Sequence, residues 1–165
     1  MSTDPLPILT TARLVLRPFR SADARTVQRL AGAREIAATT LTVPHPYPDG
    51  AAEEWIATHA GAWAERKVLT LAVTLREDGA LVGAVGLALV MADRRAELGY
   101  WIGVPWWNRG FATEASRALV DFGFGTLGLH RIMARHMSRN EASGRVMQKL
   151  GMAREGTLRH HVLKW

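Results

Sequence analysis

The stretch of this chain best equipped for chemistry is Val104-Pro105-Trp106-Trp107-Asn108-Arg109-Gly110-Phe111-Ala112-Thr113. Pro105 stops a strand, and a loop with one glycine opens directly onto a helix. The first turn of a helix has unpaired N–H groups and a partial positive charge, which together suit a pyrophosphate. Gly110 lets the backbone approach such a ligand, Ala112 keeps the next turn uncrowded, and Arg109 adds a cation. Many strand-loop-helix junctions contain one glycine and bind nothing, so the spacing alone leaves that alternative open.

Other chemistries find less support. His160 and His161 are neighbours on an expected strand, so their side chains point to opposite faces and cannot share a metal. His130 and His136 lack a carboxylate or second histidine at ligand spacing, and no metal is expected. Cysteine is absent, which removes disulfides, thiolate metal sites and a cysteine nucleophile. Trp106-Trp107 could stack on bases, but no nucleic-acid motif accompanies them, and loop packing is the simpler reading. The net charge of +6 suits nucleic acid, an acidic protein surface or a polyphosphate. Lysine and arginine are scattered, however, so a solvated basic surface explains the charge equally well.

These groups need a scaffold. A chain of 165 residues, 48% hydrophobic and 22% charged, is expected to fold as one domain over 1–165. No apolar run is long enough for a membrane span, and the start, Met1 to Pro7, carries no secretory pattern. A cytoplasmic location follows by default. Residues 12–19 read as a strand ended by Pro18, and Ser21 offers an N-cap for a helix over 22–34. The prolines of 44–50 demand a loop, with a helix over 51–66 burying Trp55, Ile56, His59 and Trp63. Leu69, Leu71, Val73 and Leu75 alternate as in a strand, Asp78-Gly79 marks a hairpin, and 81–90 is an apolar strand covered on both faces. A further strand runs 97–104. Phe111, Ala115, Ala118 and Phe122 share one helix face, and Gly123, Gly125 and Gly128 end that helix. A strand over 131–137 follows, then a helix over 140–150 with Ala142, Val146, Met147 and Leu150 inward, and a last strand over 157–163. The order βααβββαβαβ predicts an α/β three-layer fold with a mixed sheet.

The run Ala96-Glu97-Leu98-Gly99-Tyr100-Trp101-Ile102, followed by Trp107-Asn108-Arg109-Gly110-Phe111-Ala112-Thr113-Glu114-Ala115, resembles the GNAT superfamily of N-acetyltransferases. It is most similar to the RimJ/RimL-type branch, whose members acetylate N-termini of ribosomal proteins. Thr11 to Pro18, Leu127 to Arg131, Asn140 to Ser143, Lys149 to Met152 and Arg154 to Arg159 extend the resemblance over nearly the whole chain. No single motif decides it; their joint order does. The resemblance implies a GNAT-type α/β/α fold with a mostly antiparallel central sheet, and acetyl-coenzyme A as co-substrate. Of the family's coenzyme signature, Gly110 and Ala112 match, while Trp107 stands at the first, usually polar, position.

What the resemblance implies for the site is specific. Coenzyme contacts are expected from Trp101, Ile102, Gly103, Val104, Trp107, Asn108, Arg109, Gly110, Phe111, Ala112 and Thr113, with Asn140 and Ser143 on the later helix. Backbone N–H groups from Trp101 to Gly103 are expected to hold the oxyanion. Glu97 is the candidate base near the acceptor amine; pairing with Arg94 or Arg95 is its structural alternative. Many relatives protonate the thiolate with a tyrosine, but Met147 occupies that position here. Ser143 is the substitute, and a thiol of pKa near ~8.5 leaves readily in any case. Asn140 could instead simply cap its helix, and Ser138-x-x-Glu141 forms a candidate capping box. Tyr47 is expected to line the acceptor pocket.

The expected acceptor is a protein N-terminal amine, with a small amine (amino acid, polyamine or aminoglycoside) as the alternative. Non-catalytic acyl-coenzyme A binding is a third reading. Nucleic acid would be a partner only indirectly, through a ribosome, and a homodimer is left open. Relatives continue into a final strand beyond the point reached here, so that strand is expected to be missing.

Overall fold

The computed structural model describes residues 4–164; Met1 to Thr3 and Trp165 lie outside it. Its centre is a six-stranded mixed sheet in sequence order, β1 (Leu9–Thr10), β2 (Leu14–Arg17), β3 (Val68–Leu75), β4 (Leu81–Val90), β5 (Arg95–Ile102) and β6 (Arg131–Ala134). All neighbours are antiparallel except β5 and β6, which run parallel. The alternation expected over 69–75 is realised. Leu69, Leu71 and Val73 join the larger core, while Ala72 turns to the opposite face.

Helix α5 (Phe111–Gly125) covers the first face with Phe111, Ala115 and Leu119. Helices α1 (Ala24–Ala31) and α3 (Ala51–Ala57) cover the second, through Ala24, Val27, Ala31 and Ala52. This is the three-layer α/β arrangement that the sequence predicts. Helix α5 passes through Gly123 and ends at Gly125, as expected for the second of these glycines. A Cβ at Gly123 would come within 2.8 Å of Ile132 Cδ1, so this glycine serves close approach to β6.

Several boundaries differ from expectation. The helix placed at 22–34 is a 3-10 turn over Ser21–Asp23, then α1, then α2 (Arg34–Thr39). Asp23, not Ser21, organises its start: the carboxylate accepts the Arg20 N–H at 2.7 Å and two bonds from Arg17 at 2.8 and 2.9 Å. The helix placed at 51–66 divides at Thr58 into α3 and α4 (His59–Ala64), and Trp55 and Ile56 are only half-buried. The strand placed at 12–19 shortens to β2, and that at 131–137 to β6. Helix α6 (Glu141–Lys149) leaves Ala142 exposed.

The largest correction concerns 157–163, which forms no strand. His160 has φ of +52°, which interrupts an extended path, and Leu158 and Leu163 lie exposed. Among the described residues β6 therefore pairs with β5 alone. No described helix is long and apolar enough to cross a membrane.

His59 is 95% removed from solvent, wedged edge-on against Trp55 at 4.5 Å and Phe19 at 5.3 Å between ring centroids. Neither ring nitrogen has a hydrogen-bond partner among the described residues. Burial pushes its pKa down to about 4. An unfolded histidine titrates near ~6.5, so between these values the unfolded chain binds the extra proton. The contribution of neutral His59 is complete above about pH 6.5 and is lost as pH falls through about 4, at most about 3 kcal/mol. Urea unfolding at pH 7.5 and pH 5 should therefore show an acid-induced loss that shrinks in His59→Phe.

Candidate active site

The predicted strand-loop-helix junction forms as its residue types dictate. After β5, Val104–Trp106 makes a 3-10 turn with Pro105 inside it. Asn108 and Gly110 then adopt left-handed backbone, φ +60° and +78°, and Gly110 becomes the N-cap of α5. The helical ladder opens with Glu114 N–H on Gly110 O at 3.0 Å. The amides of Phe111, Ala112 and Thr113 thus precede any intrahelical bond and point out of the helix end. Free amides at a helix start are the kind of donor set that holds a pyrophosphate.

The cradle is braced from the far end of the chain. Glu114 accepts the Thr11 hydroxyl at 2.7 Å, the Arg13 backbone N–H at 2.9 Å and Arg13 Nε at 2.7 Å. Arg13 Nη1 also donates to Arg109 O at 3.0 Å, and its guanidinium lies 4.6 Å from the Phe111 ring centroid. Burial alone would raise the Glu114 carboxyl; the Thr11 and Arg13 donors outweigh it and hold the group below its ordinary value. Sequence reading missed both residues of this brace, which lie about a hundred positions apart. A cleft of about 870 Å³ runs along the outer flank of α5, lined by Gly110, Thr113, Glu114, Arg117 and Lys149 among others.

Beside the junction the sheet opens. The parallel β5–β6 ladder covers Arg95↔Arg131 to Leu98↔Ala134 and stops. Gly103 N–H donates to Val82 O at 2.8 Å, so Gly103 and, by alternation, Trp101 direct their polar backbone groups at β4. Tyr100 and Ile102 then face the other way, into the split. Of the backbone groups expected to hold the oxyanion, those of Trp101 and Gly103 are turned to β4, and only Ile102 faces the split, with Tyr100 beside it. Trp107 closes the upper end, its indole N–H donating to Ile102 O at 2.6 Å. The aromatic at this position thus satisfies a strand carbonyl at the mouth of the split.

The side chains of β5 divide by face. Trp101 packs with the α1–α3 cluster, together with Tyr47 of the loop before α3, while Tyr100 packs toward α5. Glu97 shares the parity of Trp101 and is half-exposed. Its carboxylate is held by Arg135, Nε to Oε1 and Nη2 to Oε2 both at 2.9 Å. Neither Arg94 nor Arg95 makes that pair: Arg94 binds Gly128 O and Arg95 binds Asp93. Arg135 also meets His161 Nε2 at 3.0 Å. Burial pushes the Tyr47 phenol up, and the nearby Glu53 charge adds to the shift.

Across the split stands α6. Asn140 is its N-cap, with Oδ1 accepting the Ser143 N–H at 3.2 Å. The capping alternative for Asn140 is therefore realised, whereas the Ser138–Glu141 box is not the cap. Ser143 meets Tyr100 Oη at 2.8 Å through its Oγ. Met147 is half-buried one turn further on. Among the described residues no group of three or more His, Asp or Glu side chains could hold a metal ion.

Comparison with known proteins gives the family. Residues 13–153 match the acetyltransferase (GNAT) domain. The chain is 34% identical over 157 residues to the uncharacterized N-acetyltransferase YoaA of Bacillus subtilis, covering 94% of this chain and 88% of that one. It is 38% identical over 66 residues to the [ribosomal protein uS5]-alanine N-acetyltransferase of Escherichia coli, 40% of this chain and 34% of that one. Among solved structures, Mycobacterium smegmatis RimJ in complex with CoA-disulfide superposes with a TM-score of 0.80 at 26% identity, covering 90% of this chain and 74% of that one. The chain belongs to the acetyltransferase (GNAT) domain family and is an acetyl-coenzyme A-dependent N-acetyltransferase.

Proposed function

We propose that the acceptor is a protein N-terminal α-amine of the ribosomal-protein type, with Glu97 as the base and Ser143 as the hydroxyl that donates to the departing sulfur. The observation that carries this reading is the charge beside Glu97. The group bound to it is the Arg135 cation, which in turn donates to His161 Nε2, rather than a ring of carboxylates. Such a mouth disfavours a polycationic polyamine or aminoglycoside relative to a peptide that carries a single reacting amine. Similarity to the E. coli enzyme supports the same acceptor class.

In this reading the amides of Phe111, Ala112 and Thr113 hold the diphosphate, flanked by Asn108 and Arg109. The backbone N–H groups of Tyr100 and Ile102 pair with the pantetheine arm and polarise the thioester carbonyl, acting as fixed dipoles, while Ile102 O stays with the Trp107 indole. Glu97 retains a free lone pair on each oxygen despite the Arg135 fork, so it can accept the proton of the incoming amine. Tyr47 lines the acceptor side.

The test is thiol release from acetyl-coenzyme A in the presence of peptides with free N-termini, polyamines, aminoglycosides and amino acids. Peptides are expected to exceed polyamines at least tenfold in kcat/KM. The reverse order would overturn the acceptor assignment, while leaving the coenzyme cradle to be judged by calorimetry with coenzyme A.

A further inference from the structure

Ser143 and its capping residue Asn140 are together held by three contacts. Asn140 Oδ1 fixes the Ser143 backbone N–H, and Asn140 Nδ2 in turn donates to Thr39 O at 3.3 Å, tying the cap to the end of α2. The third hold crosses the split: Tyr100, on β5, places its Oη 2.8 Å from Ser143 Oγ and 3.1 Å from Ser143 O. This contact joins the strand whose backbone lines the split to the helix on its other side.

A phenol has one proton to give, and the two acceptors at Ser143 make different use of it. If Tyr100 donates to the backbone carbonyl, the Ser143 hydroxyl can complete the 2.8 Å contact only by donating to Tyr100 Oη, and its proton is spent. If Tyr100 donates to Ser143 Oγ, the serine proton is free to point elsewhere. The shorter of the two distances is the Oγ contact.

We infer that Tyr100 is a positioning residue for the transfer reaction: by donating to Ser143 Oγ it turns the serine proton into the split, toward the leaving sulfur. The inference rests on the reading of Ser143 as the donor to sulfur. The amine nitrogen bonds to the thioester carbon and gives up a proton to Glu97; the carbon–sulfur bond then breaks and its electron pair goes to sulfur, while the Ser143 hydroxyl keeps its proton and donates a hydrogen bond to the growing charge. The thiolate then takes up, through solvent, the proton that the amine released. Tyr100 keeps its own proton throughout. Burial raises its pKa above the ordinary value, with the Ser143 bond pulling it part of the way back, so the phenol stays neutral and a donor.

The experiment is a double-mutant cycle of Tyr100→Phe and Ser143→Ala, reading kcat, KM for acetyl-coenzyme A and coenzyme A affinity by calorimetry. Phenylalanine keeps the ring and removes only the hydroxyl. Each single variant should lose roughly tenfold in kcat with KM changed less than twofold, and the double variant should be no slower than Ser143→Ala. Losses that multiply would overturn the inference, because Tyr100 would then act independently of Ser143. A rise in KM or in the coenzyme dissociation constant with kcat unchanged would also overturn it, reducing Tyr100 to packing. Full turnover in Ser143→Ala would remove the serine donor itself, whereas a defect in Ser143→Ala alone would leave that donor standing and remove only Tyr100. A second readout is independent of turnover. The chain has two tyrosines, Tyr47 and Tyr100, so fluorotyrosine labelling gives two resonances that Tyr47→Phe assigns. Acetyl-coenzyme A should shift the Tyr100 line further in the parent protein than in Ser143→Ala; an equal shift in both would overturn the inference.

Discussion

Glu97→Gln is expected to lower kcat about a hundredfold at pH 7 while leaving coenzyme A affinity unchanged. Glutamine preserves the size of the side chain and can still accept a bond from Arg135, but it cannot take a proton. An α-amine with a pKa of about 7.7–8.0 is mostly protonated at pH 7, so the enzyme must strip or avoid that proton. As pH rises past about 8 the free amine supplies itself, and the penalty of the substitution should shrink toward tenfold or less. Coenzyme affinity should not move, because the proposed cradle lies on Phe111 to Thr113 and the Glu97 side chain contributes nothing to it. A pH series of initial rates with a peptide acceptor, alongside calorimetry with coenzyme A, separates the two effects. A penalty that stays constant up to pH 9.5 would show that Glu97 orients the acceptor rather than accepting its proton. Loss of the Arg135 pair is not expected to confuse the result, since half-exposed ion pairs contribute only about 0–1 kcal/mol to stability.

The second large effect is expected at Gly83. A Cβ there would lie 2.2 Å from Trp101 O, 2.9 Å from Ile102 Cδ1 and 3.0 Å from Ile102 Cα. The first and last of these atoms are backbone, and neither can move without moving β5. Gly83→Ala should therefore cost about 3 kcal/mol, lowering Tm by roughly 10 °C for a chain of this size. Relief of the clash displaces the residues that line the split, so KM for acetyl-coenzyme A should also rise severalfold. Gly99 supplies the control: nothing lies within 4 Å of a Cβ built there, and its φ is not left-handed. Gly99→Ala should leave Tm within a degree or two. A Gly83→Ala protein as stable as the parent would mean that β4 and β5 do not approach this closely.

Elements with strong local signals were legible in the sequence. The alternation from Leu69 to Leu75 and the apolar run from Leu81 to Val90 gave β3 and β4 almost to the residue, and Gly79, at φ +74°, turns the hairpin between them. The cradle at Gly110 was legible for the same reason: Pro105, the glycine and the apolar stripe beginning at Phe111 are neighbours. What failed was decided at a distance. The run 157–163 has the composition of a strand, but His160 at φ +52° breaks the extended path, and the outer edge of β6 stays unpaired among the described residues. The interruption after Gly32 follows from packing: a Cβ at that glycine would lie 2.4 Å from Gln28 O and 3.3 Å from Tyr47 Cβ, where the loop before α3 presses on the helix end.

Side-chain pairing was the least legible level. Composition offered Glu97 several arginines, and the two nearest in sequence looked the natural partners. The sheet brings β6 alongside β5, and it is Arg135, just past the end of that ladder, that closes the fork. Tyr100 and Ser143 are likewise 43 positions apart, and only the parallel crossover through α5 makes them neighbours.

The brace between Arg13 and Glu114 spans 101 positions, and this separation bears on how the protein is born. At ordinary synthesis rates of about 5–20 residues per second, the amino-terminal strand waits on the order of 5–20 s before its bracket leaves the ribosome. During that interval Leu14 and Leu16, both fully buried in the finished molecule, have no helix α5 to cover them. The nascent chain is then a candidate for chaperone holding, and slowing translation between codons 75 and 114 should lengthen that exposure and reduce soluble yield.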